Sequence, residues 1–501
     1  MRSVINQIVS SRPAPGHRMA FVRLDGSRSY ELTEVFDLAG RLAAQLFELG
    51  LRPGDRLGIL AGNCLEWVLL DLAALRLKVV VAGFEPGKFE ADSRLIERYQ
   101  LAMLFTDRPE AVTGQGVRAI SEVLELAQRP STGVESPSVH YQAGDELACK
   151  FTSGSSGEPK GLLATVGSVD CSVSAVQQLF QHGPADDLFV FLPLSLLQQR
   201  YWIYSALCFG HDVTISTYEV AFAALLLARP TVVMGVPAFF EAAKKHLEAQ
   251  LKRSAGKLAP AEAARKLFGD RIRYLWTGSA PASPNVLAFF DGIGWPLYEG
   301  YGLNETCIVA KNHPGAHRVG SVGQVLAGKQ VLIDPAGVIS VRSDFPVSSR
   351  YAYAAPGESE RMFVGAGIVR TGDLGYLDED GFLFILGRAD DVIVLDNGKK
   401  VIVRPIEEHL KASPAIEECV LFCPAQTQLV AVVSPATEPA DEAAIAEHVT
   451  AANASLHRDE QIHRVVLAAP RFSVDNGLLS AQFKPRRKQI LERYRSEIHA
   501  G

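Results

Sequence analysis

Residues 151–161 read FTSGSSGEPKG, a set of residue types suited to holding a row of phosphates. Gly154, Gly157 and Gly161 let the backbone turn tightly, so that successive N–H groups can face one anion. Thr152, Ser153, Ser155 and Ser156 add hydroxyl donors, and Lys160 adds a mobile positive charge. The spacing is not the GxxxxGKS/T of P-loop proteins, so a different nucleotide chemistry is indicated. A Ser/Gly/Pro cluster also suits a flexible surface loop, and on this stretch alone both readings stand.

Three later stretches carry the argument further. Residues 298–306 read YEGYGLNET; 370–373 read RTGD and are followed by GRADDVI at 387–393; 476–484 read NGLLSAQFK, with Arg487 three residues on. Taken in this order with 151–161, they resemble the signature motifs of the adenylate-forming superfamily, which includes acyl-CoA synthetases, adenylation domains and firefly luciferase. The resemblance implies that ATP is used to turn a carboxylate, a poor electrophile, into an acyl-adenylate with release of pyrophosphate. Charge then gathers on several phosphate oxygens, which accounts for the density of donors and cations.

The resemblance also assigns roles. The cradle from Thr152 to Lys160 holds the departing phosphates, and Glu305 binds Mg2+, a hard ion that prefers carboxylate and phosphate oxygens. Tyr301, with Glu299, Gly300, Gly302 and Asn304 around it, and the segment Gly278, Ser279, Ala280 and Pro281 form the adenine site. Asp373 accepts from the ribose hydroxyls, Arg388 donates to ribose or phosphate, and Lys484 bridges the carboxylate and the α-phosphate. Lys484, Glu305 and Lys160 are thus the catalytic set. Trp202, Tyr204, Val236, Phe240 and Gly300 are expected near an acyl tunnel, and they would serve equally as core.

Three positions depart from the resembled pattern. Asn304 stands where threonine is usual, Leu196 in LPLSL where a histidine or aromatic is usual, and Ile368 where a tryptophan is usual. The first two are the only sequence support for a nucleotide- and acyl-binding protein without turnover. No acidic residue is evidently placed for an amino group, and GRADDVIVLDNGKKV with LPLSLLQQR resembles long-chain acyl-CoA synthetases. The expected substrate is therefore a medium- or long-chain fatty acid, and the acceptor CoA or the phosphopantetheine of a carrier protein.

These side chains need a scaffold. A helix is expected over 32–49 and another over 93–99, alternating with strands at 188–191, 231–234 and 273–276, the pattern of an α/β sheet protein. Ligands of such sheets sit on loops beyond strand ends, where the motifs are expected to lie. Near 387 the pattern changes: a strand at 382–386, a hairpin turn at Asp396-Asn397-Gly398, a helix over 441–454 and strands at 420–422, 429–433 and 465–467. The fold class expected is α/β, a large N-terminal domain of packed sheets and helices at 1–388 with a small mobile α+β domain at 389–501. In the resembled family the small domain rotates between half-reactions about a hinge, which falls here on Asp390; an exposed turn would carry the same residues.

Composition narrows the partners. The chain has 501 residues, 21% charged and 48% hydrophobic, and a formal net charge of −6, so no nucleic-acid footprint is evident. Asp71, Arg76 and Lys78 interrupt the apolar stretch 67–84, which argues against a membrane span, and the N-terminus lacks a signal-peptide pattern. Seven scattered cysteines suit reduced packing residues, with Cys419 and Cys423 on one strand face. A cytoplasmic enzyme is expected.

Overall fold

Apolar residues recurring at intervals of three and four make the first long helix, Leu32–Glu48, which buries Leu32, Val35, Leu38, Leu42 and Leu46 and leaves Glu34, Arg41 and Glu48 exposed. The computed structural model describes residues 2–91, 93–108, 116–130, 137–152, 159–480 and 484–500. The strands expected at 188–191, 231–234 and 273–276 form as Asp187–Val190, Val232–Gly235 and Tyr274–Thr277, parallel neighbours in the middle of a nine-stranded sheet. A six-stranded sheet ends in Glu146–Thr152 paired antiparallel with Lys160–Thr165, the two strands that flank the phosphate stretch. Helices Leu32–Glu48, Leu65–Leu77, Val166–Phe180 and Leu197–Phe209 fill the space between the sheets and share one core with both. No helix among the described residues is long and apolar enough to cross a membrane.

Side chains alternate along each central strand. Tyr274 and Trp276 face the inter-sheet core, whereas Leu275 faces a second core under helices Pro237–Arg253, Pro260–Phe268 and Pro284–Gly292.

Two motifs expected on loops are partly strand. Tyr301 and Gly302 lie in Leu297–Leu303, and Asp373 lies in Ile368–Leu377. The first strand runs beyond its parallel neighbour and folds back as an antiparallel hairpin with Cys307–Lys311, its register shifting between Tyr301 and Gly302. The hairpin is so tight there that a Cβ on Gly302 would lie 1.9 Å from the Cys307 carbonyl oxygen.

Beyond residue 389 the chain builds its own sheet, Ile416–Phe422, Leu429–Pro435 and Ile462–Leu467. Cys419, Leu421, Ala431 and Val433 face a core with Val403–Leu410 and Glu442–Ser455, while Val420 and Val432 face Phe472, Ile490 and Tyr494. Cys423 packs on the same side as Cys419. The expected hairpin pairs Ile393–Val394 with Lys400–Val401.

Candidate active site

Lys484 reaches back 205 residues to the other part of the chain, its Nζ donating to the carbonyl of Ser279 at 2.8 Å. Ser279 stands at φ +70°, a left-handed conformation that costs a non-glycine residue energy. The turn after Tyr274–Thr277 therefore presents a carbonyl to the lysine. Withdrawal from water lowers the Lys484 pKa, an effect opposed by Asp373.

Asp373 is the centre of a second cluster. Tyr301 Oη donates to its Oδ2 at 2.6 Å, and Arg388 Nη1 donates to its Oδ1 at 3.0 Å and to the Thr371 carbonyl at 2.9 Å. Asp373 and Arg388 are paired across adjacent strands, which fixes their approach. Gly372, at φ +74°, leaves room for the guanidinium: a Cβ there would lie 2.9 Å from Arg388 Nη2. A carboxylate has about four acceptor sites, so these two bonds leave capacity for a ribose diol. Arg388 Nε also lies 3.2 Å from Asp390, exposed in the short turn Ala389–Asp391.

Glu305 is buried at the bend between Leu297–Leu303 and Cys307–Lys311. Tyr351 Oη donates to its Oε1 at 2.6 Å, and burial together with Glu305 pushes the Tyr351 pKa up. Lys150 Nζ donates to the carbonyl of Asn304 at 2.7 Å, and Lys329 Nζ donates to that of Thr306 at 2.9 Å. Lys160 Nζ is 2.9 Å from Glu358 and 5.1 Å from the centre of the Tyr351 ring. No group of three or more His, Cys, Asp or Glu that could cage a metal occurs among the described residues. One carboxylate with an oxygen to spare suits Mg2+, which is commonly held by one or two carboxylates together with substrate phosphates.

The expected adenine segment meets this motif directly: a Cβ on Gly278 would lie 3.6 Å from the Gly300 carbonyl. Glu299 accepts from the Ala282 N–H at 2.9 Å, and burial pushes its pKa up to about 7. Lys311, also buried and driven well below its ordinary value, donates to the carbonyls of Tyr298 and Thr277 at 2.8 and 3.2 Å and lies 3.4 Å from the centre of the Trp276 ring. Cys307 is a buried packing residue, its Sγ 3.0 Å from Tyr201 Oη.

Not every expected residue gathers here. Ser153, Gly154, Ser155, Ser156 and Gly157, with the Thr152 side chain, lie outside the described residues. The expected acyl-tunnel residues are divided by the nine-stranded sheet. Trp202 packs edge-on against Trp276 in the inter-sheet core, and Phe240 packs against Phe290 in the outer one, because their helices, Leu197–Phe209 and Pro237–Arg253, pack into different cores. Val236 precedes the helix that carries Phe240. Tyr204 is a structural partner, donating to Asp71 at 2.7 Å beside the buried Arg200–Asp71 ion pair. Leu196 is exposed just before Leu197–Phe209, and Ile368 opens the Asp373 strand.

Lys150, Tyr351, Lys329 and Glu358 were not evident from the sequence. Lys150 alone left a trace, as one charge inside the strand Glu146–Thr152, otherwise apolar from Leu147 to Phe151.

A profile for AMP-binding enzymes matches residues 10–341, and one for the AMP-binding enzyme C-terminal domain matches 390–501. The chain belongs to the AMP-binding enzyme family. As a member of its adenylate-forming ligases, it is an AMP-forming acid–thiol ligase. Among relatives of this AMP-binding enzyme, the long-chain-fatty-acid–CoA ligase FadD15 of Mycobacterium bovis is 27% identical over 91% of this chain and 90% of its own. Human long-chain-fatty-acid–CoA ligase 1 is 25% identical over 93% and 81%. The fold is that of ATP-bound MatB from Rhodopseudomonas palustris (TM-score 0.80, 20% identity, 99% of this chain and 100% of that one). It is equally that of the o-succinylbenzoate CoA synthetase MenE from Bacillus subtilis in complex with its acyl-adenylate (TM-score 0.76, 20% identity, 98% of both).

Proposed function

We propose that this AMP-binding enzyme activates a medium- or long-chain fatty acid with ATP and passes the acyl group to the thiol of CoA. The observation that carries the reading is the docking of Lys484 on Ser279, close enough for Asp373 to influence its charge. An ammonium so placed can meet both a substrate carboxylate and the α-phosphate.

In the first half-reaction a carboxylate oxygen attacks the α-phosphorus and the bond to pyrophosphate breaks. Lys484 offsets the charge on the attacking and α-phosphate oxygens, while Asp373 and Tyr301 orient the nucleoside. Lys160 has to exchange Glu358 for phosphate. Mg2+, when bound, supplies positive charge to the phosphate oxygens, and Glu305 is the residue that would hold it. In the second half-reaction the thiol gives its proton to solvent, its sulfur attacks the acyl carbonyl, and AMP leaves with the bonding pair of the C–O bond. Lys484 is then no longer needed, and we assign the exchange of groups to rotation of the part beyond Asp390.

The fatty-acid assignment is supported by the substrates named for the relatives. Its test is pyrophosphate release with ATP and Mg2+ across fatty, aryl and amino acids, followed by mass spectrometry with CoA or a holo-carrier protein. Fatty-acid-dependent release with an acyl-CoA product is expected. Acyl-carrier without acyl-CoA would move the acceptor to a carrier protein, and absence of release with every acid would overturn the reading.

A further inference from the structure

Lys150 and Lys329 hold the two carbonyls that bracket Glu305, those of Asn304 and Thr306. We propose that these lysines are positioning residues which clamp Glu305 for its cation, an inference that rests on the adenylation reading above.

Lys150 lies two residues before Thr152, on the strand that leads into the phosphate stretch. Its neighbours Cys149 and Phe151 pack into one cluster, so strand alternation turns Lys150 to the opposite face, where it meets Asn304 across 154 residues of sequence. Lys329 opens the strand Lys329–Ile333 and also donates to Ser343 Oγ at 2.9 Å. Among the described residues neither lysine forms an ion pair with a carboxylate, although Lys150 is buried and Lys329 is half-buried. Keeping an ammonium out of water merely to hold a carbonyl is costly, since a neutral donor would serve. The cost is intelligible where polyphosphate supplies the missing negative charge.

The geometry explains what the clamp achieves. Fixing the peptide planes on both sides of Glu305 sets the direction of its Cα–Cβ bond, and Tyr351 fixes the carboxylate through Oε1. The other oxygen, Oε2, has no partner among the described residues and is presented without a search through rotamers. Lys150 also ties the phosphate strand to the Glu305 motif, so that the two anion-handling elements move as one. Asn304, the departure from the usual threonine, is held by its backbone carbonyl, and its side chain has no hydrogen-bond partner among the described residues.

The test is binding of a fluorescent ATP analogue titrated with Mg2+, using the whole enzyme, Lys150→Met, Lys150→Arg and Lys329→Met, with thermal melts alongside. Loss of a supporting contact of this kind typically weakens metal affinity 10–100-fold. Half-saturation by Mg2+ should therefore rise about tenfold or more in Lys150→Met and Lys329→Met, and Lys150→Arg should lie nearer the wild type. Unchanged half-saturation in folded Met variants would overturn the clamp while leaving adenylation intact. Failure of Lys150→Met to fold, with Lys329→Met folded and unchanged, would overturn it too, since Lys150 would then be structural. Absence of Mg2+-dependent binding by the wild type would overturn clamp and adenylation together.

Discussion

Lys484 donates to Ser279 without a carboxylate within ion-pair distance among the described residues, so its charge is at hand for one half-reaction. Removing one such preorganised donor commonly costs 10²–10³ in rate. Lys484→Ala should slow fatty-acid-dependent pyrophosphate release by about that factor and leave thioester formation from supplied acyl-adenylate nearly unchanged; equal losses in the two assays would refute the role. Glu299 gives a prediction of another kind. Its folded pKa of about 7 lies above the ordinary 4.5 because it is buried. Between those values the folded protein holds a proton that the unfolded chain has released, so this group's contribution to stability falls as pH rises through the window and levels off above it. Glu299→Gln keeps the acceptor for the Ala282 N–H and removes the titration. Its thermal midpoint relative to wild type should rise from pH 5 to pH 8, by a stability difference of up to about 3 kcal/mol. A constant offset would show that Glu299 does not titrate in this range.

At the scale of elements the hairpin carrying Glu305 tolerates little. A methyl at Gly302 would overlap the Cys307 carbonyl, whereas a methyl at the exposed Gly62 would meet nothing within 4 Å. Gly302→Ala should destabilise by about 2 kcal/mol or more and impair adenylation, with Gly62→Ala as the neutral control in the same melts. Much of the scaffold was legible because it depends on local pattern. The helix at 32–49 and the three central strands appear within one residue of expectation. Asp373, Tyr301, Arg388 and Lys484 were legible as motif residues, and the fold brings Tyr301 and Arg388 onto Asp373. The supports were not legible: Tyr351 meets Glu305 across 46 residues and Lys329 meets Thr306 across 23, pairings set by tertiary approach and by no spacing rule. The separation of two expected acyl-tunnel residues was not legible for a related reason. Trp202 and Phe240 are both apolar and near the central strands, but their helices pack into different cores, an arrangement invisible until the sheet order is known.

For the whole molecule the decisive question is whether the part beyond Asp390 moves. No apolar cluster of described residues spans that point: the cores made by residues 395–462 and 420–498 are separate from those made by residues up to 383. The hydrogen bonds and ion pairs that join the two parts include Lys484 to Ser279, Arg404 Nη1 to the Ile385 carbonyl at 3.3 Å, Asn285 Nδ2 to the Ala412 carbonyl at 3.1 Å, and Lys245 to Glu417 at 3.1 Å. The exposed contacts, Asn285 to Ala412 and Lys245 to Glu417, are each worth about 0–1 kcal/mol, so undocking costs little against the gain of bringing a thiol to the acyl carbonyl. A lock across this interface should therefore separate the half-reactions. With Asn285→Cys and Ala412→Cys joined by a short bifunctional thiol reagent, the enzyme should release about one equivalent of pyrophosphate per active site and retain acyl-adenylate, while acyl-CoA formation falls by on the order of 10²-fold. The uncross-linked double variant should turn over normally. Asp390→Pro, which stiffens the turn after Arg388, should show the same bias in weaker form. If the locked enzyme formed acyl-CoA at the rate of the open one, rotation would not be needed and the thiol would have to reach the carbonyl with Lys484 still on Ser279.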